Sequence, residues 1–192
     1  MKKANYLLLL AGLTLAARTA PATTVIPPTF DELVAQAELI FQGSVTNVRS
    51  QWVGEGGQRH IISDVTFTVE DAVKGAPGQT YTLRMLGGTV DGESAGVSDA
   101  PKFKVGDKDI LFVENNGKQF VPLVGIMHGR FRVQRDQSGQ EVVANNEGEP
   151  IKNAAGAVRN TAAATESNLS AADFKAAIKT KLQTAQPNHA PQ

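Results

Sequence analysis

Three histidines, His60, His128 and His189, are the first residues to examine for chemistry. None stands at H-x-H or H-x-x-x-H spacing from another ligand. His60 and Asp64 share one face of a predicted strand, which is no compact ligand set. No metal and no cofactor is therefore expected. The chain has no Cys, which excludes a thiol nucleophile, a zinc knot, an iron–sulfur site and a disulfide scaffold. There is no G-x-S-x-G motif, and Ser94 and Ser98-Asp99 lie in a glycine-rich stretch without a nameable oxyanion donor. Asp91, Glu93, Asp99 and Asp107 could supply paired carboxylates for glycoside hydrolysis, but no sugar-stacking aromatic lies nearby. Asp91-Gly92-Glu93 also lacks the ligand spacing of a calcium loop. Neither a P-loop nor a GxGxxG fingerprint is present. What remains is recognition. Trp52, the single Trp, sits beside Gly54-Glu55-Gly56-Gly57 and close to His60. Together with Asp91, Glu93 and Asp99 these are the candidate partner-binding residues. Trp52 has two roles open to it, an anchor for a partner or a plug for one end of a barrel.

The N-terminus predicts export. Lys2 and Lys3 precede the apolar run Tyr6–Ala17, and Ala20-Pro21-Ala22 is a small-x-small cleavage motif. Residues 1–22 are read as a signal peptide, cut before Thr23. The run is too short to span a bilayer, which takes ~20 apolar residues. Full-length, the 192-residue chain balances 19 basic against 19 acidic side chains. Without Lys2, Lys3 and Arg18 it keeps 16 against 19, a net of −3. Such a chain has no long-range attraction for nucleic acid or an anionic membrane. Periplasm or exterior is the expected location, with another exported or envelope protein as the expected partner.

The elements that must position these residues are mostly strands. Residues 23–28 are an extended lead with two prolines. Thr29-Phe30-Asp31-Glu32 is a capping box opening a helix over about 30–37. Leu39, Phe41 and Val45 alternate, and Gly43 among them marks a bulge or a close backbone approach. Val65, Phe67 and Val69 alternate with Asp64, Thr66, Thr68 and Glu70, the clearest period of two in the chain. Across the 74–78 turn, Tyr81, Leu83 and Met85 complete a hairpin. Residues 87–102 read as a long loop. Ile110–Val113 is a strand buried on both faces, Asn115–Lys118 a tight turn, and 120–124 a return weakened by Pro122. Residues 130–134 and 141–143 form a second hairpin. Arg84, Arg130 and Arg132 are expected on outward faces, and the aromatics at 67, 112 and 131 inward, which argues against a nucleic-acid groove. Residues 147–168 are poor in large apolar groups and read as a flexible linker. A helix capped by Ser170 and stapled by Leu169 spans 169–183, and 184–192 is a polar tail.

Short strands with short connections over 29–146 predict a closed or nearly closed OB-like β-barrel of about 5–7 antiparallel strands, with a short helix before it and a second helix at the C-terminus. Three segments carry a family resemblance: Glu38–Val45, Val65–Val69 followed by Val73-Lys74-Gly75, and Phe103–Asp107 leading into Ile110–Val113. Over residues 38–113 these resemble the OB-barrel of the netrin-module and tissue-inhibitor-of-metalloproteinases superfamily, and exported bacterial proteins of the same strand pattern. The resemblance implies a fold. The inhibitors chelate the protease zinc through an N-terminal Cys, and this chain has none. The expected function is non-enzymatic binding outside the cytoplasm. Peptidase inhibition by loop insertion and a small hydrolase are the alternatives.

Overall fold

The computed structural model describes residues 27–154 and 167–185. The expected signal peptide and its expected cleavage point before Thr23, His189, part of the expected linker and most of the expected tail lie outside these residues. The described chain is mostly β. Helix α1 (Phe30–Gln36) is followed by strands β1 (Leu39–Val53), β2 (His60–Lys74), β3 (Thr80–Val90), β4 (Glu93–Gly96), β5 (Lys108–Val113), β6 (Arg130–Arg135) and β7 (Glu141–Ala144). Helix α2 (Ala171–Ala185) comes last. All strand pairs are antiparallel, in the order β4-β3-β2-β1-β5-β6-β7.

The sheet is a curled half-barrel. Its order is linear, and no ladder joins β4 to β7 among the described residues. In place of the expected closure, the turn after β5 spans to the outer edge of β3. Asn116 accepts from the Arg84 amide at 3.0 Å and donates to the Thr82 carbonyl at 2.8 Å and to the Tyr81 hydroxyl at 2.9 Å. The Leu86 amide donates to the Phe120 carbonyl at 2.7 Å. A turn thus satisfies strand-edge groups that a further strand would otherwise bond.

Each face of the sheet carries its own core. The helix face buries Ile40, Ile110, Phe112, Phe131 and Val143 under Phe30 and Leu33 of α1 and Phe174 and Ile178 of α2. Phe174 stands 4.8 Å from Phe131 and 5.7 Å from Phe30, centroid to centroid, in tilted contacts. The opposite, loop face buries Phe41, Val65, Phe67, Leu83 and Leu111, covered by Val121, Leu123 and Phe103. Phe41 and Ile40 go to different faces because successive strand residues do. Ile110–Val113 is buried on both, as its continuous apolar run predicts.

Local details follow the chemistry of single residues. The Thr29 capping box forms, with the Glu32 amide on the Thr29 hydroxyl and the Glu32 carboxylate on the Thr29 amide. The β1–β2 register shifts at Gly43, where a Cβ would stand 2.6 Å from the Thr68 carbonyl oxygen. The Asp173 amide caps on Ser170. Two differences concern loops. Residues 87–102 are not one loop: β3 runs on to Val90 and returns as β4 through Asp91-Gly92, whose φ values of 51° and 84° suit a two-residue hairpin turn. Residues 120–124 make one isolated bridge, Val113 to Leu123, and no strand, since Pro122 has no N–H to offer a ladder. Beyond residue 146 the chain still packs. Ile151 is buried in the helix-face core, bonded to Val143 and Leu169, so that 150–151 and 169–170 cover the outer edge of β7.

Candidate functional site

The β1–β2 hairpin pairs from Ile40–Lys74 out to Val53–His60, and its outer end carries Trp52. Trp52 is half-buried, and the Arg59 guanidinium lies 4.3 Å from its ring centroid. That geometry joins a flat apolar surface to a fixed positive charge. Trp52 pairs with Ile61 and Val53 with His60, so Trp52 and His60 point to opposite faces. His60 is exposed, and its Nδ1 donates to the Gln58 carbonyl at 2.9 Å.

Asp91 and Glu93 lie at the exposed β3–β4 turn, and Asp99 at an exposed bend with φ 63°. The β3–β4 hairpin does come against the β1–β2 hairpin. A Cβ at Gly88 would overlap the Ser63 and Ser50 side chains, and its φ of 138° is one that L side chains rarely adopt, so this approach calls for glycine. The Gly87-Gly88 pair inside a strand pattern is the sequence signal for it.

Between that hairpin and residues 97–103 the loop face leaves a cavity of about 420 Å³. Its floor is a chain of hydroxyls. Ser63 Oγ donates to the Gly87 carbonyl at 2.6 Å, which leaves Ser50 to donate to Ser63 at 2.8 Å. Val97 also lines two neighbouring hollows. One, of about 390 Å³, is apolar and includes Val121, the exposed Phe120 and Ile126. Ile126 holds φ 60°, a left-handed conformation that opposes its β-branched side chain.

The other hollow, of about 620 Å³, is charged, and at its wall Arg130 is 3% exposed. This corrects the expected outward Arg130. Its Nε and Nη2 donate to the two Asp109 oxygens at 2.9 and 3.1 Å, Nη2 also to Asp107 at 2.9 Å, and Nη1 to the Lys102 carbonyl at 2.8 Å. The guanidinium carbon lies 4.2 Å from the Phe103 ring centroid. Burial pushes the Asp109 carboxyl above its usual range, against the pull of Arg130. The period of two placed Arg130 on the face opposite Phe131, which is correct. That face is covered at Arg130 by residues 102–107, while Arg132 two residues on remains partly exposed. Arg84 is outward as expected, paired with Asp64 at 2.8 Å.

Among the described residues no group of three or more His, Asp or Glu is placed to hold a metal ion, and no helix is long and apolar enough to cross a membrane. No protein-family model, no curated protein and no solved structure matches this chain.

Proposed function

We propose that this is an exported, non-enzymatic binding module that recognises another exported or envelope protein through the outer end of its β1–β2 hairpin. The observation that carries this reading is the Trp52–Arg59 stack, a half-buried aromatic and a guanidinium 4.3 Å apart at a strand end. Trp and Arg dominate the residues that anchor protein interfaces. Export rests on the leader-like residues 1–22. An OB-like relationship to the netrin module rests on the sequence segments Glu38–Val45, Val65–Val69 with Val73-Lys74-Gly75, and Phe103–Asp107 leading into Ile110–Val113. The test is capture from an envelope fraction by wild type, Trp52→Ala and Arg84→Ala. A partner retained by wild type and Arg84→Ala and lost by Trp52→Ala, with unchanged thermal midpoints, supports the reading. Equal capture by all three overturns it.

A second reading, peptidase inhibition by loop insertion, is favoured by one observation: all four residues of β4 are exposed beside the Asp91-Gly92 turn. Absence of inhibition across a panel of secreted peptidases at micromolar protein would remove it.

A further inference from the structure

The cavity between the β3–β4 hairpin and residues 97–103 has a lining of mixed character. One wall is apolar, made by Val48, Leu86, Val97 and Phe103. Among the described residues, Lys102 is the one ionisable residue that lines it, and no Asp or Glu does. Lys102 makes no ion pair among the described residues, because its link to Arg130 runs through the backbone carbonyl. The hydroxyls are unequal. The Ser50 and Ser63 protons are both spent within the floor. Thr89 and Ser94 face each other across the hairpin at 2.8 Å, and one proton serves that contact. The other remains to be donated. The cavity therefore has the exposed Lys102 and the exposed Thr89–Ser94 pair, with one uncommitted hydroxyl proton, at its rim, and a hydrocarbon wall, in about 420 Å³, within the ~300–1,000 Å³ over which proteins bind small organic molecules.

We propose that this cavity binds a short-chain organic carboxylate, with its anionic group on Lys102 and the Thr89–Ser94 pair and its hydrocarbon chain against Val48, Leu86, Val97 and Phe103. A carboxylate accepts from both donors at once and brings the charge that Lys102 lacks. A neutral alcohol matches the wall alone. A dianion has more charge than one ammonium offsets. Trp52 does not line the cavity, and it lies two residues beyond Ser50 on the same face of β1.

Hexanoate is the probe, titrated into methyl-labelled full-length protein in carboxylate-free buffer and followed by NMR. Saturable shifts of the Val48, Leu86 and Val97 methyls are expected. Lys102→Gln should weaken binding about tenfold, the scale of one charge-assisted hydrogen bond. Hexanol should bind more weakly than hexanoate by about the same factor. Thr89→Val/Ser94→Ala should weaken hexanoate less than Lys102→Gln does. Trp52→Ala should leave hexanoate binding unchanged, so this result and the partner test fail independently. No saturable shift at those methyls overturns the proposal. So does equal affinity for hexanoate and hexanol, or equal hexanoate affinity in wild type and Lys102→Gln.

Discussion

The two faces of this sheet are covered by different means. On the helix face, α1 and α2 lay Phe30, Leu33, Phe174 and Ile178 over Phe112 and Phe131, all of them buried. On the loop face, Val121, Leu123 and Phe103 do the same work from irregular segments. A helix satisfies its own backbone and presents a continuous apolar stripe. A loop must spend side chains and turns on its backbone groups, as Asn116 and Asp107 do here. Its apolar contacts are therefore intermittent, and the gaps between them are the three hollows that meet at Val97. Trp52 and the serine-floored cavity lie on the loop face, while the helix face has a hollow of its own, about 780 Å³, between α1, Val73-Lys74-Gly75 and the end of α2.

The largest test of that contrast is Phe174→Ala. Its ring touches Phe30, Phe112 and Phe131, and its loss should cost about 3–5 kcal/mol in denaturant unfolding, without altering hexanoate shifts on the loop face in the molecules that remain folded. A changed cavity in that variant would mean that the two cores are one. Arg130→Met comes next. It leaves Asp109 buried and unpaired and should cost about 3 kcal/mol, much of it recovered by adding Asp109→Leu. If the double variant is no more stable than the single one, the ion pair matters for geometry at residues 102–107 and not for charge balance.

Asn116→Ala should cost about 1 kcal/mol, since it frees the Arg84 amide and the Thr82 carbonyl at a partly exposed edge. Faster amide exchange at Arg84 than at Leu83 would locate the effect. The smallest effect concerns pH. A hydrogen bond from Lys175 holds the Asp71 carboxyl below its usual range, against a smaller opposing effect of burial. A lowered folded value means stability that is intact above the unfolded carboxylate range and is lost as pH falls below about 4. Docking of α2 should loosen by less than ~1 kcal/mol in that window, because the pair is partly exposed. Asp71→Asn should show the looser helix at neutral pH and a flatter acid dependence, read from the thermal midpoint.

Much of the fold was legible because it depends on neighbours in sequence. The Thr29 box, the alternation of Val65–Val69, the Gly43 bulge and the double burial of Ile110–Val113 are all short-range patterns. What escaped depends on distant segments. Arg130 looked solvent-facing because nothing in its own strand reveals that Asp107, Asp109 and Phe103 enclose it. The β3–β4 hairpin was hidden by its small residues, since Gly87, Gly88, Ala95 and Gly96 show no apolar alternation, although Asp91-Gly92 is a recognised turn pair. Ile151 covers β7 from a stretch whose composition resembles a linker, and Leu169, read as the staple of the last helix, bonds to Val143 of β7 as well. The cavity floor was out of reach as well, because Ser50 and Ser63 are ordinary strand residues until Gly88 is brought against them.

The sheet's margins carry a consequence for life at high concentration. Residues 150–151 and 169–170 shield β7, and the Asn116 turn shields the middle of β3. Beyond Ser44, β1 pairs with β2 alone, and β4 pairs with β3 alone. The four residues of β4 are hydrophilic or small, with Glu93 at their head. At β4 a neighbouring molecule offering its own backbone would find a strip too brief and too poor in grease to grow a fibril from.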